Sequence, residues 1–129
     1  MSLLQKALEN GRFAVTAEMA PPKGYDFKEQ LESAALLNGK VHGVNVTDMQ
    51  SACLKASSLG LCVHLKQAGV EPILQMTGRD RSRMAIMGDA LSAASFGSRF
   101  AVGLLYFVCV GVSHDAQNLV VVSFFCHIV

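Results

Sequence analysis

An α/β fold of parallel βα repeats is predicted for this chain of 129 residues from the spacing and composition of its apolar segments. The segments begin at intervals of roughly 30 residues, the length of one βα unit. They are apolar along their whole length rather than alternating, which is typical of parallel strands covered by helices on both faces. The predicted strands are Phe13–Met19, Val41–Val46, Pro72–Met76 and Phe100–Val110.

Three helices are predicted between these strands. Each begins with a residue suited to the N-cap position, continues with apolar residues at helical spacing, and ends at a glycine. The first also has a glutamate, Glu29, at capping-box spacing from its cap. The start and stop residues are Asp26 and Gly39, Ser58 and Gly69, and Asp80 and Gly97.

Two architectures are built from such units. A doubly wound nucleotide-binding fold normally has a glycine-rich turn after its first strand, whereas the turn here reads Ala20-Pro21-Pro22-Lys23-Gly24. A (β/α)8 barrel has no such requirement, but it needs about 250 residues. This chain would therefore supply the first half of a barrel and is apparently truncated.

Charge is unevenly distributed along the chain. The eleven Lys and Arg residues against ten Asp and Glu give a net charge of +1. So small a charge does not attract a polyanion, and nucleic acid is not an expected partner. Every Lys and Arg lies before residue 100, whereas residues 100–129 carry a single charge, Asp115. We therefore divide the chain into a βα-repeat part, residues 1–97, and an apolar tail, residues 98–129, which could begin with a fourth strand.

No membrane or metal partner is expected. The longest uncharged apolar run, Phe100–Val112, is shorter than the roughly 20 residues that a spanning helix needs. Residues 1–12 lack the apolar core of a signal peptide. The four cysteines form no CxxC pair and have no histidine at zinc-ligand spacing, which favours reduced, buried thiols. We predict a cytoplasmic protein.

Polar residues stand where three of the predicted strands end. In both architectures, ligands bind beyond the carboxyl ends of the strands. Glu18 lies near the end of the first strand, Thr47 and Asp48 follow the second, and Gln75 and Thr77 end the third. Burial among apolar residues favours the protonated form of a carboxyl group, so Glu18 could act as a general acid.

Each candidate also has a structural interpretation that the pattern leaves open. Glu18 could face solvent at the sheet edge or pair with Lys23. Asp48 could cap the helical stretch that follows it, and Gln75 could bond to loop backbone. A run of alternating arginines could bind a phosphate or form a solvated surface. These arginines are Arg79, Arg81 and Arg83.

Three motifs on consecutive strand ends resemble the methylenetetrahydrofolate reductase family. The resemblance covers residues 1 to about 97, with the motifs in the family's order and spacing. The motifs are Val15–Gly24, His42–Asp48 with Gln50-Ser51-Ala52, and Pro72–Thr77 followed by Arg79-Asp80-Arg81.

The resemblance implies a flavin-dependent (β/α)8 barrel that reduces 5,10-methylenetetrahydrofolate to 5-methyltetrahydrofolate in one-carbon and methionine metabolism. It implies FAD as cofactor, NAD(P)H or another reductant as electron donor, and a folate as substrate. Glu18 matches the family's acid, which helps to open the five-membered ring of the folate. Thr47, with Asp48 beside it, and Gln75 match the flavin contacts. A homo-oligomer or an electron-donor protein are the further partners that it suggests.

The tail departs from the family. A fourth strand normally ends there in a Gly-Asp pair whose aspartate contacts the folate, but Tyr106 and Phe107 occupy this place. We therefore expect a truncated or frame-shifted product with no measurable folate reduction by itself. Two interpretations follow, which bound flavin distinguishes. The chain is either the N-terminal part of a reductase or a non-catalytic βα fragment.

Overall fold

The computed structural model describes residues 2–96 and three short strands in residues 101–120. Helix α1 spans Leu3–Glu9, strand β1 spans Thr16–Met19, helix α2 spans Lys28–Leu37 and strand β2 spans Gly43–Val46. A 3-10 turn at Gln50–Ala52 precedes helix α3, Ser58–Gln67. Strand β3, Pro72–Leu74, leads to helix α4, Arg83–Ser95. The remaining strands are β4 Ala101–Val102, β5 Val110–Val112 and β6 Leu119–Val120.

The first three strands form a parallel sheet in the order β1-β2-β3. Met19 pairs with Val46, and Val46 pairs with Leu74, so the carboxyl ends of the three strands lie side by side. The predicted parallel βα repeat is confirmed for these strands. The first strand is shorter than predicted, because it begins at Thr16 and leaves Phe13 89% exposed.

The prediction of a fourth parallel strand is wrong for the residues of that segment that the structure describes. Strand β4 pairs antiparallel with β5, and β5 pairs antiparallel with β6. Continuing the first sheet would require a hydrogen-bonded pairing of β4 with β3, whereas β4, β5 and β6 form a sheet of their own. Residues 100 and 103–109, the rest of the predicted strand, lie outside the described residues.

Helix caps differ from the prediction by one or two residues. Asp26 accepts a hydrogen bond from the Lys28 amide at 3.0 Å, although Phe27 occupies the cap position of α2. Helix α3 begins at Ser58 itself, with Ser57 as its cap. For α4 the prediction of Asp80 is wrong. Ser82 caps this helix instead, and its hydroxyl accepts a hydrogen bond from the Ala85 amide at 3.2 Å.

Helix α1 was not predicted. Ser2 caps it by accepting a hydrogen bond from the Gln5 amide at 3.1 Å. It has only seven residues, which is shorter than the window over which helical periodicity is assessed, and it buries only Ala7.

The hydrophobic core lies between one face of the sheet and the helices. Val44 and Val46 of β2 and Leu74 of β3 are fully buried, as are Leu61 and Leu65 of α3. Helix α2 contributes Ala34, and α4 contributes Ala93. Burial of these side chains holds the sheet against the helices and fixes which end of each strand meets its neighbours. Among the described residues, no helix combines the length and the apolar character needed to cross a bilayer.

Candidate active site

Three of the predicted site residues stand in a row at the carboxyl edge of the sheet. The Thr47 amide donates to the Met19 carbonyl at 3.0 Å, and the Gln75 amide donates to the Val46 carbonyl at 3.1 Å. Each residue therefore continues its strand by one position. Glu18 pairs in register with Asn45, two residues before Thr47. Because side chains alternate along a strand, Glu18, Thr47 and Gln75 share the face opposite to the core.

Glu18 is exposed, and the prediction of a buried carboxyl is wrong. Two features explain the difference. Strand β1 lies at the edge of its sheet, and Glu18 points to the face that the helices do not cover. Its Oε1 accepts a hydrogen bond from Gln50 Nε2 at 3.1 Å. The alternative interpretation of a solvent-facing glutamate is therefore correct for its exposure, although its partner is Gln50 and not Lys23.

Thr47 is the buried member of this row, with 1% of its surface exposed. Its hydroxyl oxygen is shielded from solvent and has no hydrogen-bond partner among the described residues. A buried hydroxyl without a partner is unfavourable by about 1–3 kcal/mol, and a ligand that bonds to it removes this penalty. Gln75, at the end of the neighbouring strand, is half-buried.

Asp48 connects two loops. Its carboxylate accepts a hydrogen bond from the Thr77 amide at 2.9 Å and forms an ion pair with Arg81, whose Nη2 lies 3.3 Å from Oδ1. The side chain of Asp48 is 2% exposed. The predicted capping role is wrong, because Met49 occupies the cap position of the 3-10 turn. A cofactor contact for Asp48 stays a prediction.

The three arginines of the run differ in their exposure to solvent. Arg81 is largely buried between two carboxylates, because its Nε lies 3.6 Å from Asp89 Oδ2 on the side away from Asp48. The prediction of a solvated surface is therefore wrong for Arg81. Arg79 and Arg83 are exposed. Asp80, the predicted cap of α4, instead accepts a hydrogen bond from the Arg79 guanidinium. This hydrogen bond lowers the pKa of the Asp80 carboxyl.

Residues 47–52, the β2 loop, contain the feature that the sequence prediction missed. Three residues other than glycine adopt left-handed backbone conformations, Met49, Ser51 and Ala52, with φ of 45°, 57° and 55°. Arg79 Nη2 donates to the Met49 carbonyl at 3.3 Å, which ties the loop to the residues after β3. No composition signal predicts this conformation, because asparagine and glycine, the residues that favour it, are absent from the loop.

The remaining candidates for a chemical role are the cysteines and the acidic residues. Cys53 is an exposed free thiol and Cys62 a buried one. Burial raises the pKa of the Cys62 thiol to about 12. Cys109 and Cys126 lie outside the described residues. In the part of the chain that the structure describes, no group of three or more His, Cys, Asp or Glu residues is placed to hold a metal ion.

Comparison with known protein families identifies a match. The family model for methylenetetrahydrofolate reductase matches residues 3–104, which is most of the chain and extends a few residues into the segment assigned to the tail. None of the curated proteins matches. The matched range includes all three strand ends and every candidate site residue, so the family relationship and the polar edge concern the same part of the molecule. The chain belongs to the methylenetetrahydrofolate reductase family.

Proposed function

We propose, in place of the sequence-based expectation that the chain shows no folate reduction by itself, that it acts in the flavin-dependent reduction of 5,10-methylenetetrahydrofolate to 5-methyltetrahydrofolate, with its site at the carboxyl edge of strands β1–β3. The chain belongs to the methylenetetrahydrofolate reductase family, and the observation that carries the proposal is its buried Thr47 hydroxyl. This hydroxyl has no hydrogen-bond partner among the described residues. It stands between the ends of two neighbouring strands that carry Glu18 and Gln75. The cytoplasmic location is part of the same proposal.

The donor set of this edge fits FAD. A flavin ring presents carbonyl oxygens and ring nitrogens in one plane, and it needs hydrogen-bonding groups on a rigid support. The Thr47 hydroxyl can donate or accept a hydrogen bond, and the side-chain amide of Gln75 can donate and accept at the same time. When bound, FAD would supply the redox chemistry, in which electrons come from NAD(P)H or another reductant and a hydride goes to the methylene carbon. Thr47 and Gln75 would hold and orient the FAD.

Glu18 is proposed as the acid of this reaction. Opening the five-membered ring of the folate requires a proton at the departing nitrogen, and a carboxyl group can deliver it. The exposure of Glu18 leaves this carboxyl open to a substrate that lies over the sheet edge. In the part of the chain that the structure describes, this carboxyl accepts a hydrogen bond from Gln50 at Oε1, and the second oxygen, Oε2, is free to carry the proton.

Flavin binding by the purified chain is the test. FAD is titrated with the chain and followed by its fluorescence, and the complex is then passed through a desalting column. We expect saturable binding, one FAD per chain, and a yellow protein fraction. FAD that elutes entirely with the small molecules would contradict the proposal. Anaerobic addition of methylenetetrahydrofolate to the reduced complex then measures hydride transfer as the return of flavin absorption.

A second candidate function, a non-catalytic βα fragment, is favoured by one observation. Strands β4–β6 pair antiparallel with one another and do not extend the parallel sheet. A parallel sheet that ends at β3 would then lack the strands that complete a ligand site in a closed barrel. In this case the chain binds no flavin and shows no folate reduction. Flavin binding followed by reoxidation with the folate would exclude this second candidate.

A further inference from the structure

The Glu18 carboxyl has one side-chain partner in the part of the chain that the structure describes, and this partner comes from the β2 loop. Gln50 Nε2 lies 3.1 Å from Glu18 Oε1, across 32 residues of sequence. Both side chains are exposed. An exposed hydrogen bond contributes little to stability by itself, so its significance depends on how firmly the Gln50 backbone is held.

The β2 loop is anchored on both sides of Gln50. Before it, the buried Asp48 carboxylate is bound by Arg81 and by the Thr77 amide at 2.9 Å. The Met49 carbonyl accepts a hydrogen bond from Arg79 at 3.3 Å, and the Met49 sulfur lies 3.4 Å from the Lys55 amide. Four residues beyond the end of the loop, the Ala56 amide donates to the Pro22 carbonyl at 2.8 Å. These contacts reach the residues that follow β1 and those that follow β3.

The backbone conformation of the loop adds a second observation. A left-handed conformation is unfavourable by about 1 kcal/mol for a residue other than glycine, and Met49, Ser51 and Ala52 all adopt it. Two of these residues are the immediate neighbours of Gln50. Such conformations persist only where surrounding contacts impose them, and they concentrate at functional sites. Here the result is a turn that aims Gln50 at the β1 strand end.

We propose that Gln50 is a positioning residue that holds the Glu18 carboxyl for proton transfer. Its amide fixes Oε1, so that Oε2 carries the proton and faces the substrate. A fixed carboxyl spends more of its time in the reactive orientation than a freely rotating one. The catalytic part of this inference rests on the proposed function, in which Glu18 is the acid, whereas the contact itself does not.

The contact is tested by NMR spectroscopy of the side-chain amides in the full chain. We expect the Gln50 Nε2 signals to shift between the wild-type chain and Glu18→Ala, which removes the acceptor. In Glu18→Gln, which keeps an acceptor in the same place, the shift should be smaller. Gln67 at the end of α3 is exposed and serves as the internal control. A Gln50 signal that behaves like that of Gln67, or that shifts equally in Glu18→Gln, would overturn the inference.

The consequence is tested by kinetics of the flavin-loaded chain. Gln50→Met keeps the length of the side chain and removes the donor, and Gln67→Met is the matched control. We expect the rate of flavin reoxidation by methylenetetrahydrofolate at saturation to fall about tenfold in Gln50→Met, with half-saturating folate and FAD affinity unchanged. An unchanged rate, or a loss of FAD affinity, would contradict a positioning role. If the wild-type chain transfers no hydride, the proposed function fails, and the NMR result alone decides whether Gln50 holds Glu18.

Discussion

Two carboxylates at neighbouring strand ends, Glu18 and Asp48, have opposite environments. Asp48 is buried, and both of its oxygens are bound by Arg81 and by the Thr77 amide. Glu18 is exposed, and among the described residues it accepts one hydrogen bond, from Gln50. The first arrangement holds loops together and the second leaves an oxygen free for chemistry. A carboxylate at a strand end therefore acquires its role from the loops above it and from its strand's position in the sheet.

The two described thiols show the same contrast between a buried and an exposed position. This contrast gives the largest expected effect. Burial raises the pKa of the Cys62 thiol from 9.0 to about 12, so its thiolate population at neutral pH falls about 1000-fold. Cys53 is exposed in the loop that follows the 3-10 turn. We expect iodoacetamide to alkylate Cys53 at least 1000 times faster than Cys62 in the native chain, as measured by peptide mass spectrometry. Similar rates without denaturant would contradict the packing of α3 against the sheet.

Removing the cation from the buried pair should have the next largest effect. Arg81→Ala leaves the Asp48 carboxylate buried with the Thr77 amide as its remaining partner among the described residues. We expect the free energy of unfolding in urea to fall by about 3 kcal/mol, because an unpaired buried charge is strongly unfavourable. Arg83→Ala, two residues away at an exposed position, is the control and should change it by less than about 0.5 kcal/mol. Equal effects of the two substitutions would show that the Asp48 ion pair does not stabilise the fold.

The two carboxylates can also be compared by replacing each with the corresponding amide. Asp48→Asn removes the charge that Arg81 neutralises, and we expect a loss of about 2 kcal/mol of unfolding free energy. Glu18→Gln should change the stability by less than about 0.5 kcal/mol, because the side chain is exposed and its hydrogen bond from Gln50 can persist. Thermal and urea unfolding of both variants measure this difference. If Glu18→Gln destabilises the chain as much as Asp48→Asn does, Glu18 is a structural residue.

The sequence predicts the strands of the parallel sheet well because their signal is local. Continuous apolar runs at constant spacing identify β1, β2 and β3, and parallel pairing then places Glu18, Thr47 and Gln75 at one edge. The caps are less certain, because several polar residues precede each helix and any of them can cap it. Asp80 and Ser82 both suit the cap of α4. The proximity of Arg79 to Asp80 decides in favour of Ser82.

The residue environments that were predicted wrongly depend on contacts that cannot be inferred from the sequence. Asp48 and Arg81 are 33 residues apart, and nothing in the alternating arginine run distinguishes Arg81 from its neighbours before the chain folds. The apolar neighbours of Glu18 suggested burial, but exposure is set by the edge position of β1 and by the face on which Glu18 lies. The antiparallel pairing of β4 has a similar origin, because an apolar run can be part of either kind of sheet.

Binding of FAD by Thr47→Val, compared with the wild-type chain, tests most directly the claim that this strand edge is a cofactor site. Valine has the shape of threonine, so the fold should be retained, and the substitution removes only the buried hydroxyl, which has no partner among the described residues. Thr16→Val, at the exposed start of β1, is the matched control. We predict that the dissociation constant for FAD rises about tenfold in Thr47→Val and stays at the wild-type value in Thr16→Val. Equal affinity in all three proteins, or no affinity in any of them, would contradict the account.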